Sequence, residues 1–429
     1  MIFSKFVLVA KSEKEVFLKQ LLTGSVISVS DSDKELLMNN DFSTLDDGTI
    51  QEMEKMGFIV GANEDDQFLN LFRKEWSANQ NFMDLFIIPT TNCQLKCPYC
   101  YEDGIDRSGR MTNEIQAKVV EWLKSYLEKN PSIEELDVIF HGGEPLLHKK
   151  AIKWLLPKIQ GVCTFQGVTM KTQIVSNGVL LDMDIVRFLS KYNLQRMQLT
   201  LDGLAEVHDK RRPFRNGKGT YDIIIPNIRN ILDSKLIERV NLRVNIDADN
   251  IESIPAFIRF LADDPLFLNG LKLSLGVITP TVGCNGRESR AEKYTEYMRL
   301  QHLEDAREYA KLSGLAKSLG FEMPTEYIAG PWCAARHSHS WAVGPEGEVY
   351  KCASDFGRPE RVFGSIEGRI DASQMQSLSE NRLKECLEKG CSLVPICGGG
   401  CLFNLMITPG ISCPETFLEE VNRQMILHS

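Results

Sequence analysis

The chain has 429 residues, 43% of them hydrophobic and 25% charged, with a formal net charge of −9 and a pI near 5.5. This is ordinary globular composition over a length suited to two or three domains. It offers no excess of Lys and Arg to neutralise a nucleic-acid backbone, and no run of about 18 apolar residues to span a membrane. The opening "MIFSKFVLVAK" has too short an apolar stretch for a signal peptide and no small-residue cleavage site, so a cytoplasmic chain is expected. There, clustered thiols bind metal more often than they form disulfides. Of the twelve cysteines, three lie between Cys93 and Cys100 and seven between Cys333 and Cys413, while Cys163 and Cys284 stand alone.

Residues 1–80 read as a small separate unit. "FVLVA" and "SVISVS" are short strands by their β-branched content. "FSTLDDGTIQEMEKMGFIV" reads as a turn, a helix and a strand, with Ser43 or Thr44 as the helix start and Gly57 as its stop. Such a unit resembles a winged-helix module, and "NEDDQFLNLFRKEWSANQ" reads as a linking helix.

Residues 81–325 alternate strand and helix. The strands are "DLFIIPT", "LDVIFHGG", "KTQIVSNG", "RMQLTLDG", "NLRVNID" and "LKLSLGVIT". Helical stretches such as "TNEIQAKVVEWLKSYLEK", "MDIVRFLSKYN" and "IPAFIRFLADD" lie between them. That order implies parallel strands under covering helices. Six units are too few for an eight-stranded barrel, so the expected α/β fold is a partial, (β/α)6 TIM-like barrel. The polar signatures fall after successive strands, where barrel chemistry sits: the cysteine loop after the first, "HGGEP" after the second, "SNG" after the third and "LDG" after the fourth. From about 331, within a C-terminal unit taken as 326–429, the chain becomes rich in Gly, Pro and Cys and regular periodicity fades.

The loop "PTTNCQLKCPYCYED" places Cys93, Cys97 and Cys100 at C-x3-C-x2-C spacing. Thiolates favour zinc or iron–sulfur clusters, and a structural zinc site needs a fourth ligand that this loop lacks. With Tyr99 before the last cysteine, the loop resembles that of the radical S-adenosylmethionine (SAM) superfamily. The resemblance implies a [4Fe-4S] cluster whose open iron is chelated by SAM. It further implies that "GGEP" (Gly142, Gly143, Glu144, Pro145) receives the SAM amine, that "QIVSNG" with Gln173, Ser176 and Asn177 is the family's third-strand end, and that Arg212, or its neighbour Arg211, holds the SAM carboxylate. The basic run "KRRPFRNGK" is alternatively a solvated loop or a receiver of acidic peptide.

The C-terminal cysteines resemble the SPASM domain found in maturases of peptides and proteins. Thirteen residues separate Cys333 from Gly347, Cys352 follows Gly347 by five, and Cys391, Cys397 and Cys401 are spaced C-x5-C-x3-C before Cys413. The resemblance implies one auxiliary cluster on Cys333, Cys352 and Cys401, and another on Cys386, Cys391, Cys397 and Cys413. Cys386 departs from the pattern, which wants a cysteine at position 388, where Glu388 stands. The fourth place on the first auxiliary cluster is open to substrate or filled from elsewhere. Cys284 is a candidate, although a buried thiol suits both it and Cys163.

The implied activity is radical modification of a ribosomally made peptide, forming a thioether or carbon–carbon crosslink. The expected cofactors are three [4Fe-4S] clusters and SAM. The expected partners are a peptide or protein substrate bearing a leader, docked by the N-terminal unit through strand addition, and an electron donor such as flavodoxin or ferredoxin. No nucleic-acid or membrane partner is expected. An anaerobic sulfatase maturase forming formylglycine is the second enzyme reading, and a scaffold or electron-carrying iron–sulfur protein is the reading from another class. The catalytic acid or base is not separable among the many carboxylates.

Overall fold

The computed structural model describes residues 1–65, 67, 81–278, 303–324, 333–402, 413 and 415–427. The N-terminal unit holds β1 (Ile2–Phe3), β2 (Val7–Lys11), β3 (Val16–Gln20), β4 (Val26–Val29), α1 (Asp31–Met38), α2 (Asp47–Lys55) and β5 (Ile59–Val60). The strands β2, β3 and β4 form an antiparallel sheet in that order, and β1 pairs with β5. Helix α2 starts later than expected. Its N-cap is Asp46, whose carboxylate accepts from Thr49 N at 2.9 Å, and not Ser43 or Thr44. Aspartate satisfies the free N–H groups at a helix start as well as a hydroxyl does. Gly57, at φ +80°, follows the helix end as expected. The expected linking helix lies for the most part outside the described residues.

The unit is not a detached bead. Phe3, Val16, Leu18, Leu37, Met53 and Phe58 form its own core, whereas Phe6, Leu8, Ala10 and Leu21 belong to the main core.

The central sheet carries six parallel strands, β6 (Phe82–Ile87), β7 (Glu135–Phe140), β8 (Thr169–Val175), β9 (Leu194–Thr200), β10 (Val240–Ile246) and β11 (Leu271–Val277), adjacent in sequence order. Helices α3 (Asn113–Lys129), α4 (Lys149–Gln166), α5 (Met183–Ser190), α6 (Ala205–Arg211), α7 (Tyr221–Ser234) and α8 (Ile254–Ala262) fall between them. This is the expected partial barrel. Helix α3 shows why the segments fold as they do. Thr112 caps it by accepting from Ile115 N, and Val119, Leu123 and Leu127 form a buried stripe at four-residue spacing. That stripe packs with Leu85, Val138, Ile174, Leu199, Leu242 and Leu273 of the strands in one apolar core. Residues of the other parity, among them Asp84, Asp137, Lys171, Gln173, Arg196, Gln198, Arg243 and Asn245, occupy the opposite face of the sheet, so the barrel interior is polar.

Regular structure continues past residue 326, contrary to expectation. After α9 (Leu303–Ser318), β12 (Ser340–Val343) pairs parallel with β6 and extends the barrel sheet. Strands β13 (Glu348–Tyr350) and β14 (Gly364–Ser365) follow antiparallel. The strand "SWAV" is short and buried throughout, so it lacks the alternation that marks a half-buried strand. Helices α10 (Ser373–Glu388) and α11 (Glu415–Leu427) complete the described chain. Helix α11 lies on β2, where Arg423 Nε donates to Val9 O at 2.9 Å.

Candidate active site and metal centres

The first cysteine loop leaves β6 and is bonded on two sides. On one side, Gly143 N donates to Thr90 O at 3.3 Å and Glu144 N to Asn92 O at 2.8 Å. The glycines are required here. Gly142 has φ +127°, and a Cβ on Gly143 would lie 2.3 Å from Asn92 O. On the other side sits the basic run, which is not a free solvated loop. Phe214 bridges Leu95, Lys96 N donates to Pro213 O at 2.9 Å, and Arg215 Nε donates to Cys93 O at 2.8 Å.

Glu144 has no exposed surface. Its carboxylate accepts from Ser176 Oγ at 2.9 Å, Asn177 N at 2.8 Å and Leu146 N at 3.0 Å. It therefore joins the ends of β7 and β8, while Pro145 opens a short 3-10 turn where no N–H is needed. Asn177 Nδ2 lies 3.7 Å from Cys93 Sγ, and Arg107 Nη2 lies the same 3.7 Å from Cys100 Sγ. Gln173 sits lower on β8, its amide donating to Asp137 Oδ2 at 2.6 Å.

The two arginines named from the sequence have separate fates. Arg211 is held by Asp247 through two bonds of 2.6 and 2.8 Å. Arg212 turns to the cysteine loop, donating through Nη1 to Tyr99 OH at 2.8 Å, and its Nε is buried with no partner among the described residues. The Tyr99 hydroxyl also donates to Asp202 and lies 3.4 Å from Asn245 Nδ2. Asp202 is the Asp of the "LDG" signature, whereas Asn245, Arg107 and the buried Glu102 that pairs with Arg107 at 3.0 Å were not singled out from sequence. Their one available signal was position at strand ends or beside the cysteines.

Burial raises the thiols of Cys93 and Cys100 to about 12 and lifts that of Cys97 as well. Such sulfurs ionise only beside a strong cation. Three of them on one loop, two met by N–H donors, fit an iron–sulfur cluster with three protein ligands.

The C-terminal cysteines fall in two places. Cys386, Cys391, Cys397 and Cys413 line one pocket with Leu393, Val394 and Leu418. Cys386 therefore sits with the other three despite its irregular spacing. Cys333 and Cys352 pack together against Met375 and Leu402, and burial raises both thiols, with the charge of Cys401 adding to it. Cys163 is a buried thiol in the apolar core. Cys284 lies outside the described residues.

Residues 87–261 match the family model of the Radical SAM superfamily. The chain is 29% identical to the Fe-coproporphyrin III synthase of Methanosarcina barkeri, over 41% of this chain and 40% of that protein. It is 22% identical to the serine-type anaerobic sulfatase-maturating enzyme of Klebsiella aerogenes, over 72% of this chain and 76% of that one. Among solved structures, anSMEcpe with bound AdoMet matches with a TM-score of 0.56 at 17% identity, covering 80% of this chain and 95% of that chain. Streptococcus suis SuiB bound to precursor peptide SuiA matches with a TM-score of 0.50 at 17% identity, covering 96% of this chain and 98% of that chain.

The chain carries a radical SAM domain and is an enzyme of that kind. A [4Fe-4S] cluster and SAM are the cofactors this implies. Among the described residues no helix is long and apolar enough to cross a membrane.

Proposed function

We propose that this enzyme matures a ribosomally made peptide by forming an intramolecular thioether or carbon–carbon crosslink. The observation that carries the reading is the N-terminal sheet. One of its edges, β2, is covered by α11, whereas the other, β4, is an edge strand with alternating exposure and Val26 47% exposed. A strand edge with no partner strand among the described residues suits pairing with an extended peptide. The fold match to the peptide-bound SuiB extends over this unit, while the match to anSMEcpe covers less of the chain.

When bound, the first cluster and SAM supply reductive cleavage of SAM and abstraction of hydrogen from unactivated carbon. This chain's residues position and shield. Cys93, Cys97 and Cys100 hold the cluster. The backbone at Gly142 and Gly143, with Glu144, receives the SAM amine. The unpartnered Nε of Arg212 offers an N–H to the SAM carboxylate. Tyr99, braced by Asp202 and Arg212, closes one wall. Cys333, Cys352 and Cys401, and Cys386, Cys391, Cys397 and Cys413, would hold two auxiliary [4Fe-4S] clusters, which would supply electron-accepting capacity or a site for a substrate thiol, and a flavodoxin or ferredoxin would be the electron donor.

The test is anaerobic incubation with SAM, dithionite and candidate leader-bearing peptides, beginning with any short peptide found encoded beside this gene. A crosslink lowers the peptide mass by two hydrogens and yields no aldehyde. A hydrazide-reactive aldehyde instead marks the sulfatase-maturase reading, which the match to the Klebsiella enzyme supports. No 5′-deoxyadenosine in any arm would mark the scaffold reading. Deleting residues 1–80 is a poor probe, because it strips Phe6, Leu8 and Ala10 from the main core. Ile27→Pro and Ser28→Pro are better. Successive N–H groups on a strand point to opposite sides, so one of the two removes an outward donor. That variant loses turnover on the leader-bearing peptide and keeps it on the core peptide.

A further inference from the structure

The first cysteine loop carries a cation that its own turn aims at a ligand sulfur. Arg107 follows Cys100 by seven residues, and the chain between them folds back on itself. Asp103 N donates to Cys100 O at 3.0 Å and Ile105 N to Glu102 O at 3.4 Å. Ile105 anchors the return, buried in one apolar cluster with Tyr350 and Phe356.

Glu102 fixes the guanidinium at two points. Arg107 Nη1 donates to Glu102 Oε2 at 3.0 Å, and Nη2 donates to Glu102 O at 2.9 Å. Nη2 carries a second hydrogen, and the acceptor it faces is Cys100 Sγ at 3.7 Å. The pair is largely withdrawn from water, with 23% of the Arg107 side chain and 6% of the Glu102 side chain exposed. A guanidinium does not lose its charge in a protein. Cys93, by contrast, is met by the neutral amide of Asn177. A charged donor acts about twice as strongly as a neutral one.

We infer that Arg107, aimed by Glu102, sets the reduction potential of the first cluster by acting through Cys100 Sγ. One electron added to a cluster on three thiolates adds one negative charge, with no bond made or broken and no proton moved. A cation and an N–H at one of the sulfurs favour the reduced state over the oxidised one, and so raise the potential. The charge of Glu102 pulls the other way while its two contacts hold the cation in place. The pair therefore adjusts how readily a low-potential one-electron donor loads the site that cleaves SAM. This inference rests on the first-cluster assignment alone and holds whatever the substrate is.

The experiment uses the full chain, reconstituted anaerobically, and follows the electron paramagnetic resonance signal that changes when SAM is added. That response identifies the first cluster among any others. Its midpoint potential is measured without SAM, by mediated titration with dithionite, in the parent, Arg107→Gln, Arg107→Lys and Glu102→Gln. Arg107→Gln should lower the potential, cutting the ratio of reduced to oxidised cluster at a fixed poise about tenfold, which for one electron is about 59 mV. Arg107→Lys keeps the charge without the two-point hold and should lower it less. Glu102→Gln still accepts from Arg107 but drops the opposing charge, and should raise the potential. A pair that only braced the loop would leave the potential unmoved, or would shift it in the same direction whichever partner is changed. Either result overturns the inference. Should Arg107→Gln fail to hold a cluster, Arg107→Lys and Glu102→Gln decide by the same opposed signs. A parent with no SAM-responsive signal would instead overturn the first-cluster assignment beneath it.

Discussion

Cys93, Cys97 and Cys100 sit on a loop bonded to polypeptide on both sides, through Thr90, Asn92, Gln94 and Lys96. Cys386, Cys391, Cys397 and Cys413 instead line a pocket whose other walls include Leu393, Val394 and Leu418. Cys391 N and Gly398 N are bonded to neighbours in their own turns, and among the described residues Arg336 Nη2 donates to Gly400 O at 2.7 Å as a long-range link. The contrast follows from what each region must do. A loop that receives SAM has to keep its shape while its guest enters and leaves, so its geometry is built into hydrogen bonds to neighbouring strand ends. On the proposed reading the C-terminal region would hold only clusters, and such a region can take its shape from the metal.

The largest expected effect breaks this comparison directly. Anaerobic removal of iron by a chelator should collapse hydrogen-exchange protection across α10 and residues 391–401. Protection at the ends of β7 and β8 should persist. Equal loss in both regions would refute the distinction. Next in size is Glu144→Ala, measured by denaturant unfolding of the iron-free chain. It leaves the donors of Ser176, Asn177 and Leu146 buried and unmet, at a cost of about 3–5 kcal/mol. Cys391→Ser in the same iron-free chain should change stability by less than about 1 kcal/mol. The smaller Asn177→Ala effect concerns the metal. Loss of the amide 3.7 Å from Cys93 Sγ should weaken iron retention by the first cluster roughly 10–100-fold, read as the rate of iron release to a chelator.

The same contrast accounts for what could be read in advance. The parallel strands were legible because their helix-facing residues are continuous Val, Ile and Leu, while glycine and polar residues cluster at their ends. Both cysteine sets stood out because their spacing is a one-dimensional pattern. The bracing around the first loop was not. Asp202, Asn245 and Arg107 reach Tyr99 or the thiols across separate elements, and a lone Asp or Asn at a strand end looks like any turn residue. The helix start at Asp46 was displaced by three equally good capping candidates within four residues. Strand β12 was missed because it is buried at every position.

The smallest effect tests whether the bracing of the first loop is set by neutral, buried groups. His208 has no exposed surface, and its Nδ1 accepts from Asp202 N at 3.2 Å while Nε2 lies 3.0 Å from Thr220 Oγ1. Burial, then the charges of Arg212 and Arg211, lower its pKa to about 3. The unfolded chain takes up a proton near pH 6.5 and the folded chain does not. The stability held by the neutral ring is therefore complete above about pH 6.5. It declines as pH falls below that, by about 1.4 kcal/mol per unit from this one proton. The decline comes from a group on the barrel, so it should survive iron removal. Substituting His208→Gln keeps an amide acceptor and donor but cannot take up the proton, so the slope between pH 6.5 and 5 should fall by about one proton relative to the parent. An identical slope in the two chains would mean that the ring is already protonated in the fold. Asp202 N could not then donate to it, and the brace on Tyr99 would have to be redrawn.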